Sequence, residues 1–441
     1  MAKDDDLLID PGGAEPDEDE RPGGIPIIGG KGGGPVRPKL RSDLQLATTR
    51  DEQGGQLLMI QDPLGLLPQP VAMRGLEALV VSLLDGRRDL RDIQAELMRQ
   101  TGEMIELELI ENLVAQLDRV HLLESERYLA LKAAMEAEER KYRESPVRPM
   151  TSAGQAYLVD AARLAIQLER RLETVGVPES PPALCGIASP HIDYQRAGLG
   201  YAHAYAALKN GPRPDRVLIL GVAHQGCGRQ YAAMTKALAT PFGELPCDAD
   251  LLRQVDERLP FDLFEGEMAH LGEHSIELQA PWLRHLLGEV PVLPVLCHGL
   301  HDVIISGEDP STAEPDVRAF VEAMGKALEQ AGGRTLIVAA VDLSHVGPMF
   351  GDERRVEPDW LEDVEQSDRE LLEVAARRDA TAFFESFAAT RDRTHICGHA
   401  ALYTMLALIG DGPPGELRAY RQWADAQGLG AVSFAAMNFA E

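Results

Sequence analysis

The five cysteines of this 441-residue chain, Cys185, Cys227, Cys247, Cys297 and Cys397, contain no C-x-x-C pair. That absence argues against a zinc ribbon and a disulfide framework and fits reduced thiols in a cytosol. Basic residues are scarce: 43 Lys and Arg stand against 71 Asp and Glu, a net charge of -28. A nucleic-acid surface needs a clustered basic face, so no nucleic-acid partner is expected. Long apolar runs are missing as well, since none reaches the roughly 18 residues a membrane span needs. The chain opens Met1-Ala2-Lys3-Asp4-Asp5-Asp6, acidic where a secretory signal is basic. No membrane partner and a cytoplasmic location are therefore expected. Self-similarity at about 20 to 50 residues is absent too, which argues against a solenoid.

What remains is a globular composition, 44% hydrophobic and 26% charged, on a chain long enough for two or three cores. Residues 1–40 combine acidic runs with Gly/Pro clusters and are expected to be a disordered tail, because they bury too little to offset chain entropy. Residues 41–127 read as a small module. Gly54 to Pro63 suggests a strand and turn, Ala72–Leu84 an apolar helix, and Val120–Glu124 a closing wing strand. Two amphipathic helices lie between, marked by Leu90, Ile93, Leu97 and Met98 and by Leu107, Ile110, Leu113, Val114 and Leu117. Residues 128–146 form a connector helix by propensity, stopped at Ser145-Pro146.

From residue 147 to 441, short Val/Ile/Leu-rich runs (183–189, 216–222, 290–297, 334–341) alternate with helical segments. Continuous apolar runs are how strands buried on both faces read, so the expected fold is a three-layer α/β/α domain with a mixed, mostly parallel sheet. Three runs deliver a histidine: His191 after Pro190, His224 after Gly221-Val222-Ala223, and His345 after Asp342-Leu343-Ser344. Such sheets bind ligands outside the carboxyl ends of their strands, and imidazole binds transition metals or moves protons near neutrality. Glu273-His274-Ser275-Ile276-Glu277 is expected to open a helix, with His274 and Glu277 on one face at i, i+3. Cys397, in Thr394-His395-Ile396-Cys397-Gly398-His399, stands just before an apolar helix whose N-terminus favours a thiolate, a ligand or a nucleophile; a buried packing cysteine is the competing fate.

Taken in order, these pieces resemble a known family. They are Arg148 to Tyr157, Pro190-His191 with Tyr194, Leu220-Gly221 with His224, Thr240 to Leu245 with Asp248, Glu273 to Glu277 with Pro281, Asp342 to His345 with Gly347, Ile396-Cys397-Gly398, and Val432 to Ala436. The stretch from about residue 147 onward resembles the Memo family, called AmmeMemoRadiSam system protein B in bacteria, which shares its fold with class III extradiol dioxygenase catalytic subunits. The resemblance implies a metal held by His191, His224 and Cys397, with His345 as acid/base residue beside Asp342. It also implies a substrate pocket lined by His274, Glu277, Tyr194 and Asp193. Iron(II) is the expected metal, with copper and zinc as alternatives. Asp193 replaces a glycine of the family pattern, Gln225 the second member of a histidine pair, and Val346 a tryptophan. The module over 41–127 resembles PqqD-like winged-helix proteins through Leu84 to Leu90 and Leu122-Leu123-Glu124, which implies a peptide or protein partner added along Leu57 to Ile60. The functional expectation is a metal-dependent redox or dioxygenase-like protein acting on an unknown small molecule or peptide. A non-catalytic adaptor and a zinc or cysteine hydrolase are the rivals.

Overall fold

The computed structural model describes residues 36–50, 55–67 and 70–441; the tail expected over residues 1–40 falls, up to residue 35, outside them. Contacts cluster into two compact units, Met1–Glu138 and Glu139–Glu441.

In the first unit, β1 (Gln45–Arg50), β2 (Gln56–Gln61) and β3 (Val71–Arg74) make an antiparallel sheet in that order. Helices α1 (Gly75–Ser82), α2 (Leu90–Thr101), α3 (Leu107–Arg119) and α4 (Glu126–Glu144) follow. Asp89 and Asp92 form a capping box that starts α2, and Gly102, at φ 73°, ends it. Ile60, Val80, Ile93, Leu97, Ile110, Val114 and Leu117 fill the core. The helix expected from Ala72 begins only at Gly75, because Val71–Arg74 is drawn into pairing with Ile60–Leu57. Val120–Glu124 supplies no wing strand, only a bridge from Leu123 to Leu40, so the sheet precedes the helices instead of closing them. The unit also starts earlier than residue 41: the Leu40 amide donates to Leu84 and the Arg41 amide to Leu122. The helix expected over residues 128–146 is α4, Glu126–Glu144. The division between the units falls inside α4, whose Tyr128 is stacked on by Arg41 of the first unit while Tyr142 donates to Met234 of the second.

In the second unit the strands are β4 (Val147–Arg148), β5 (Leu184–Ser189), β6 (Arg216–Val222), β7 (Tyr231–Ala233), β8 (Ala237–Leu238), β9 (Val292–Cys297), β10 (Thr335–Ala340), β11 (Asp342–Val346), β12 (Glu416–Ala424) and β13 (Ala431–Ala440). The helices are α5 (Ala161–Val175), α6 (Tyr194–Asn210), α7 (Ala249–Asp256), α8 (Ala269–Gly272), α9 (Ala280–Leu287), α10 (His301–Ser306), α11 (Pro310–Ala313), α12 (Pro315–Ala331), α13 (Pro358–Ala375), α14 (Ala380–Thr390) and α15 (His399–Ile409). The main sheet runs β11-β13-β5-β10-β6-β9-β7, with β12 on β13. Its centre, β5, β10, β6 and β9, is parallel, and β7, β11, β12 and β13 add antiparallel margins.

Alternate residues of the central strands enter different cores. Leu218, Leu220, Ile337 and Ala339 pack with α7, α12, α14 and α15. Val217, Ile219, Leu336 and Val338 pack with α5, α6 and α9 on the other face. Both faces are therefore dry, which is why these strands carry no polar alternation. The result is a three-layer α/β/α domain. No described helix is long and apolar enough to cross a membrane.

Candidate metal centre

Strand order sets the site. β10 lies between β5 and β6, in register Ala340 with Ser189 and Ala339 with Leu220, so the chain leaves three adjacent parallel strands at one edge. His191 follows β5 and His224 follows β6. After β10 the chain turns across the end of β5, where the Val341 amide donates to Ser189, and then pairs with β13 as β11. That crossing carries Asp342 over His191, whose amide donates to Asp342 Oδ1 at 3.0 Å.

Each histidine is oriented through one ring nitrogen. His191 Nδ1 lies 3.0 Å from the Ala340 carbonyl and donates to it, leaving Nε2 with a free lone pair 3.3 Å from Cys397 Sγ. His224 Nδ1 lies 3.0 Å from Glu273 Oε2, so its Nε2 is likewise the free nitrogen. A carbonyl or carboxylate behind the ring is how metal-binding histidines are held in one tautomer. One ligand atom from each of His191, His224 and Cys397 comes within 4.8 Å of the others. His224 is 30% exposed at its side chain, enough to face the cleft.

Two glycines permit this approach. A Cβ at Gly221 would meet Ile276 Cγ1 at 2.5 Å and Ser275 Oγ at 2.7 Å. Its absence lets the 273–277 segment press onto β6, where Ser275 Oγ accepts from the Val222 amide at 3.0 Å. A Cβ at Gly398 would lie 2.7 Å from Val341 Cα, so only glycine allows the Cys397 turn to reach the crossing beside Asp342. His399 fixes that turn from below: Nδ1 donates to Ile396 O and Nε2 accepts from the Leu300 amide at 2.9 Å. Burial pushes its pKa down to about 4, which keeps the imidazole neutral for that double role.

The electrostatics divide the cluster. Burial drives His191 well below the usual histidine value, reinforced by His224 and His274. Burial acts the same way on His224, but the hydrogen bond and charge of Glu273 outweigh it and raise the pKa. Glu273 is itself depressed: burial opposes its ionisation, and the histidines overcome that. Burial raises Asp342, and it raises Cys397 well above the ordinary thiol value, with Asp342 adding to the effect. With no metal bound, burial thus opposes the thiolate that the helix end favours.

The cleft has a volume of about 910 Å³, and its walls include His191, His224, His274, Asp342, His345 and Cys397. Asp193 and Arg196 stand at its rim, paired with each other. His274 stacks on His224 with centroids 4.9 Å apart. His345 donates through Nδ1 to Leu343 O at 2.9 Å, and Phe350 packs edge-on against it. Two residues expected in the pocket are elsewhere. Tyr194 is buried in the core with its hydroxyl on the Leu278 carbonyl. Glu277 is buried and pairs with Arg148 while accepting from Thr151, Ser152 and Tyr157. It fastens the 148–157 segment instead of facing a ligand. Residues 275–279 form turns, and α9 starts only at Ala280, so His274 and Glu277 share no helix face.

Sequence reading assigned no role to Glu273, whose only signal was its place beside His274. Gln279 was also missed; it is fully buried and donates to the Pro190 carbonyl at 2.8 Å, holding the turn that presents His191. His395, with φ 53°, reaches the His345 carbonyl at 3.2 Å and lines the cleft, a loop conformation that no periodicity announces.

The family model described as Memo-like protein matches residues 148–438. A MEMO1 family protein of Aquifex aeolicus is 30% identical over 407 residues, covering 92% of this chain and 100% of its own length. One from Thermus thermophilus is 31% identical over 346 residues, 78% of this chain and 97% of that protein. One from Methanopyrus kandleri is 28% identical over 300 residues, which is 65% of this chain but 96% of that protein. The first relative aligns over 92% of this chain, while 96% of the Methanopyrus kandleri protein is matched by 65% of it. The chain belongs to the Memo family.

Proposed function

We propose that the cleft binds one transition-metal ion through His191 Nε2, His224 Nε2 and Cys397 Sγ, and that the protein is a metal-dependent redox protein of dioxygenase-like chemistry acting on a small molecule or peptide. The observation that carries this reading is the convergence of the three donor groups within 4.8 Å, with both imidazoles already turned by hydrogen bonds on their other nitrogens. Ligand bonds of roughly 2.0–2.3 Å put two donors of one ion about 3–4.6 Å apart, so the three groups stand near the spacing that one ion needs. A second trio, His224, Glu273 and His274, is equally close. Glu273 there is already committed to the His224 ring, the His224 amide and the Ser275 amide, which makes it a support for the ligand His224. Iron(II) is favoured because the dioxygenase sites that this one resembles use it; thiolate and imidazole also suit copper, and zinc follows.

When bound, the metal would supply Lewis acidity, electron transfer and the positive charge that draws the proton from Cys397. The chain supplies the rest. His345 holds its Nδ1 proton on Leu343 O, and burial lowers its pKa, so its Nε2 is an unprotonated acceptor for a substrate proton in the cleft. Asp342 keeps the His191 backbone in place and bears a charge toward His345. Stacked against His224, His274 restricts that ring and narrows the entrance.

A cysteine hydrolase is disfavoured, because burial raises the Cys397 thiol where a free nucleophile needs a depressed one. In the first unit, a partner peptide cannot add along Leu57 to Ile60, since β2 is paired on both sides; the sheet margin at β1 takes its place in the proposal. The test of the reaction is oxygen uptake by the metal-loaded chain with candidate catechols and peptides. Uptake that falls at least about 100-fold in His345→Ala while metal content stays is expected. Hydrolysis that persists without iron or copper and stops on alkylation of Cys397 would replace this reading with the hydrolase.

A further inference from the structure

Behind the rim of the cleft, on the α6 side of the second unit, lies a separate cavity of about 240 Å³. Three arginines line it, Arg171 from α5, Arg196 from α6 and Arg421 from β12, together with Trp423. Asp193 is bound to Arg196, and its charge also reaches Arg171; no ion pair to Arg171 or Arg421 is seen among the described residues. Three arginines in one small cavity beside a single carboxylate leave a surplus of positive charge, in a chain of net charge -28.

Arg171 is the decisive residue. Its Nη2 donates to the Tyr194 carbonyl at 2.6 Å, but its Nη1 is buried with no hydrogen-bond partner. A buried guanidinium nitrogen without a protein acceptor is expensive and calls for a partner, which an oxyanion would supply here. The sequence makes room for it. A Cβ on Gly198 would lie 2.2 Å from Arg171 Cζ, so glycine at that helix position lets the guanidinium lie across α6. Glycine inside a helix is otherwise unfavourable. Arg196, whose guanidinium carbon sits 4.7 Å over the Trp423 ring, borders both this cavity and the metal cleft.

We propose that Arg171, Arg196 and Arg421 form an oxyanion site that takes a carboxylate or phosphate group at the back of the cleft rim. Arg171 Nη1 and the Arg421 guanidinium supply charge-assisted donors, and Trp423 walls the cavity on its apolar side. Because Arg196 is shared, a ligand with an acidic end anchored here has its other end directed toward the His191–His224–Cys397 cleft. The anion site itself stands whether or not the cleft holds a metal.

The test is titration of the full chain with inorganic phosphate at matched ionic strength, by calorimetry and thermal melting, against chloride alone. The expected result is saturable binding that weakens about tenfold or more in Arg421→Gln and in Arg171→Gln, the loss of one charge-assisted bond. Gly198→Ala removes no charge but displaces the Arg171 guanidinium and is expected to weaken binding similarly. His191→Ala keeps the phosphate affinity, which separates this site from the metal cleft. Acetate in place of phosphate distinguishes a carboxylate site from a phosphate-selective one; binding of either supports the assignment. No saturable binding of either anion, or equal affinity in wild type, Arg421→Gln and Gly198→Ala, overturns it. So does binding that is lost in His191→Ala and kept in Arg421→Gln.

Discussion

His191 and His224 each give one ring nitrogen to the protein and keep the other for the cleft, and the two supports differ in charge. Ala340 offers His191 a neutral carbonyl, while Glu273 offers His224 a carboxylate, so Glu273 both aims its ring and raises its basicity. Glu273→Gln is therefore expected to lower metal affinity about 10–100-fold without unfolding the chain, read by competition with a chromogenic chelator; unchanged affinity would mean that the carboxylate does not support a ligand. Glu277 tests a different role. Its pKa is depressed because the Arg148 charge and hydrogen bonds outweigh burial. A depressed carboxylate contributes stability above its unfolded value and loses it as pH falls through the folded one. Glu277→Gln is accordingly expected to cost about 3 kcal/mol at neutral pH, with the gap to wild type narrowing as the solution is acidified, measured by urea midpoints at both conditions. A constant gap would place the pair's contribution outside this titration. The convergence of His191, His224 and Cys397 was legible in sequence because each ends an apolar run or precedes a helix beside a glycine. Glu277 was misread because a carboxylate three residues from a histidine looks the same whether it faces a ligand or a buried arginine.

At the level of elements, the site is a product of strand order. β10 inserts between β5 and β6, and the chain after it swings over the end of β5 to join β13. Sequence pattern announced β5, β6, β9 and β10 as apolar runs, yet it did not announce β11, β12 or β13, which pair as antiparallel strands at the margin. Asp342-Leu343-Ser344-His345 carries too many polar groups to read as a strand; Ser344 and Ser433 both donate to the buried Asp368. The same limit hid β3, four residues long and running straight into α1. Gly398 is the point at which elements meet most tightly. Gly398→Ala drives a Cβ against the Val341 backbone, and the expected outcome is destabilisation of about 1–3 kcal/mol with a loss of bound metal larger than the stability change explains. Thermal melting combined with metal analysis checks it; full metal content in a folded Gly398→Ala chain would show that the Cys397 turn tolerates displacement.

On the scale of the whole molecule, contacts divide the chain after Glu138, within α4, and the family model starts at residue 148. The proposed ligands His191, His224 and Cys397 all belong to the second unit. A chain of residues 139–441, retaining Tyr142, is thus expected to fold and to bind metal with the affinity of the full protein, while losing any partner that the first unit docks; a fragment that unfolds or fails to bind metal would make the two units one cooperative structure. The acidic balance, read from composition, was silent about the arginine-lined cavity, which exists only once α5, α6 and β12 are assembled. The most direct test of the central claim is the metal content of the full chain purified without oxygen, measured for wild type, His191→Ala, His224→Ala, Cys397→Ala and His345→Ala. About one equivalent is expected in wild type and in His345→Ala, and little in His191→Ala, His224→Ala and Cys397→Ala. One equivalent retained in Cys397→Ala and His191→Ala alike, or none in a folded wild type reconstituted with iron, copper or zinc, would contradict it.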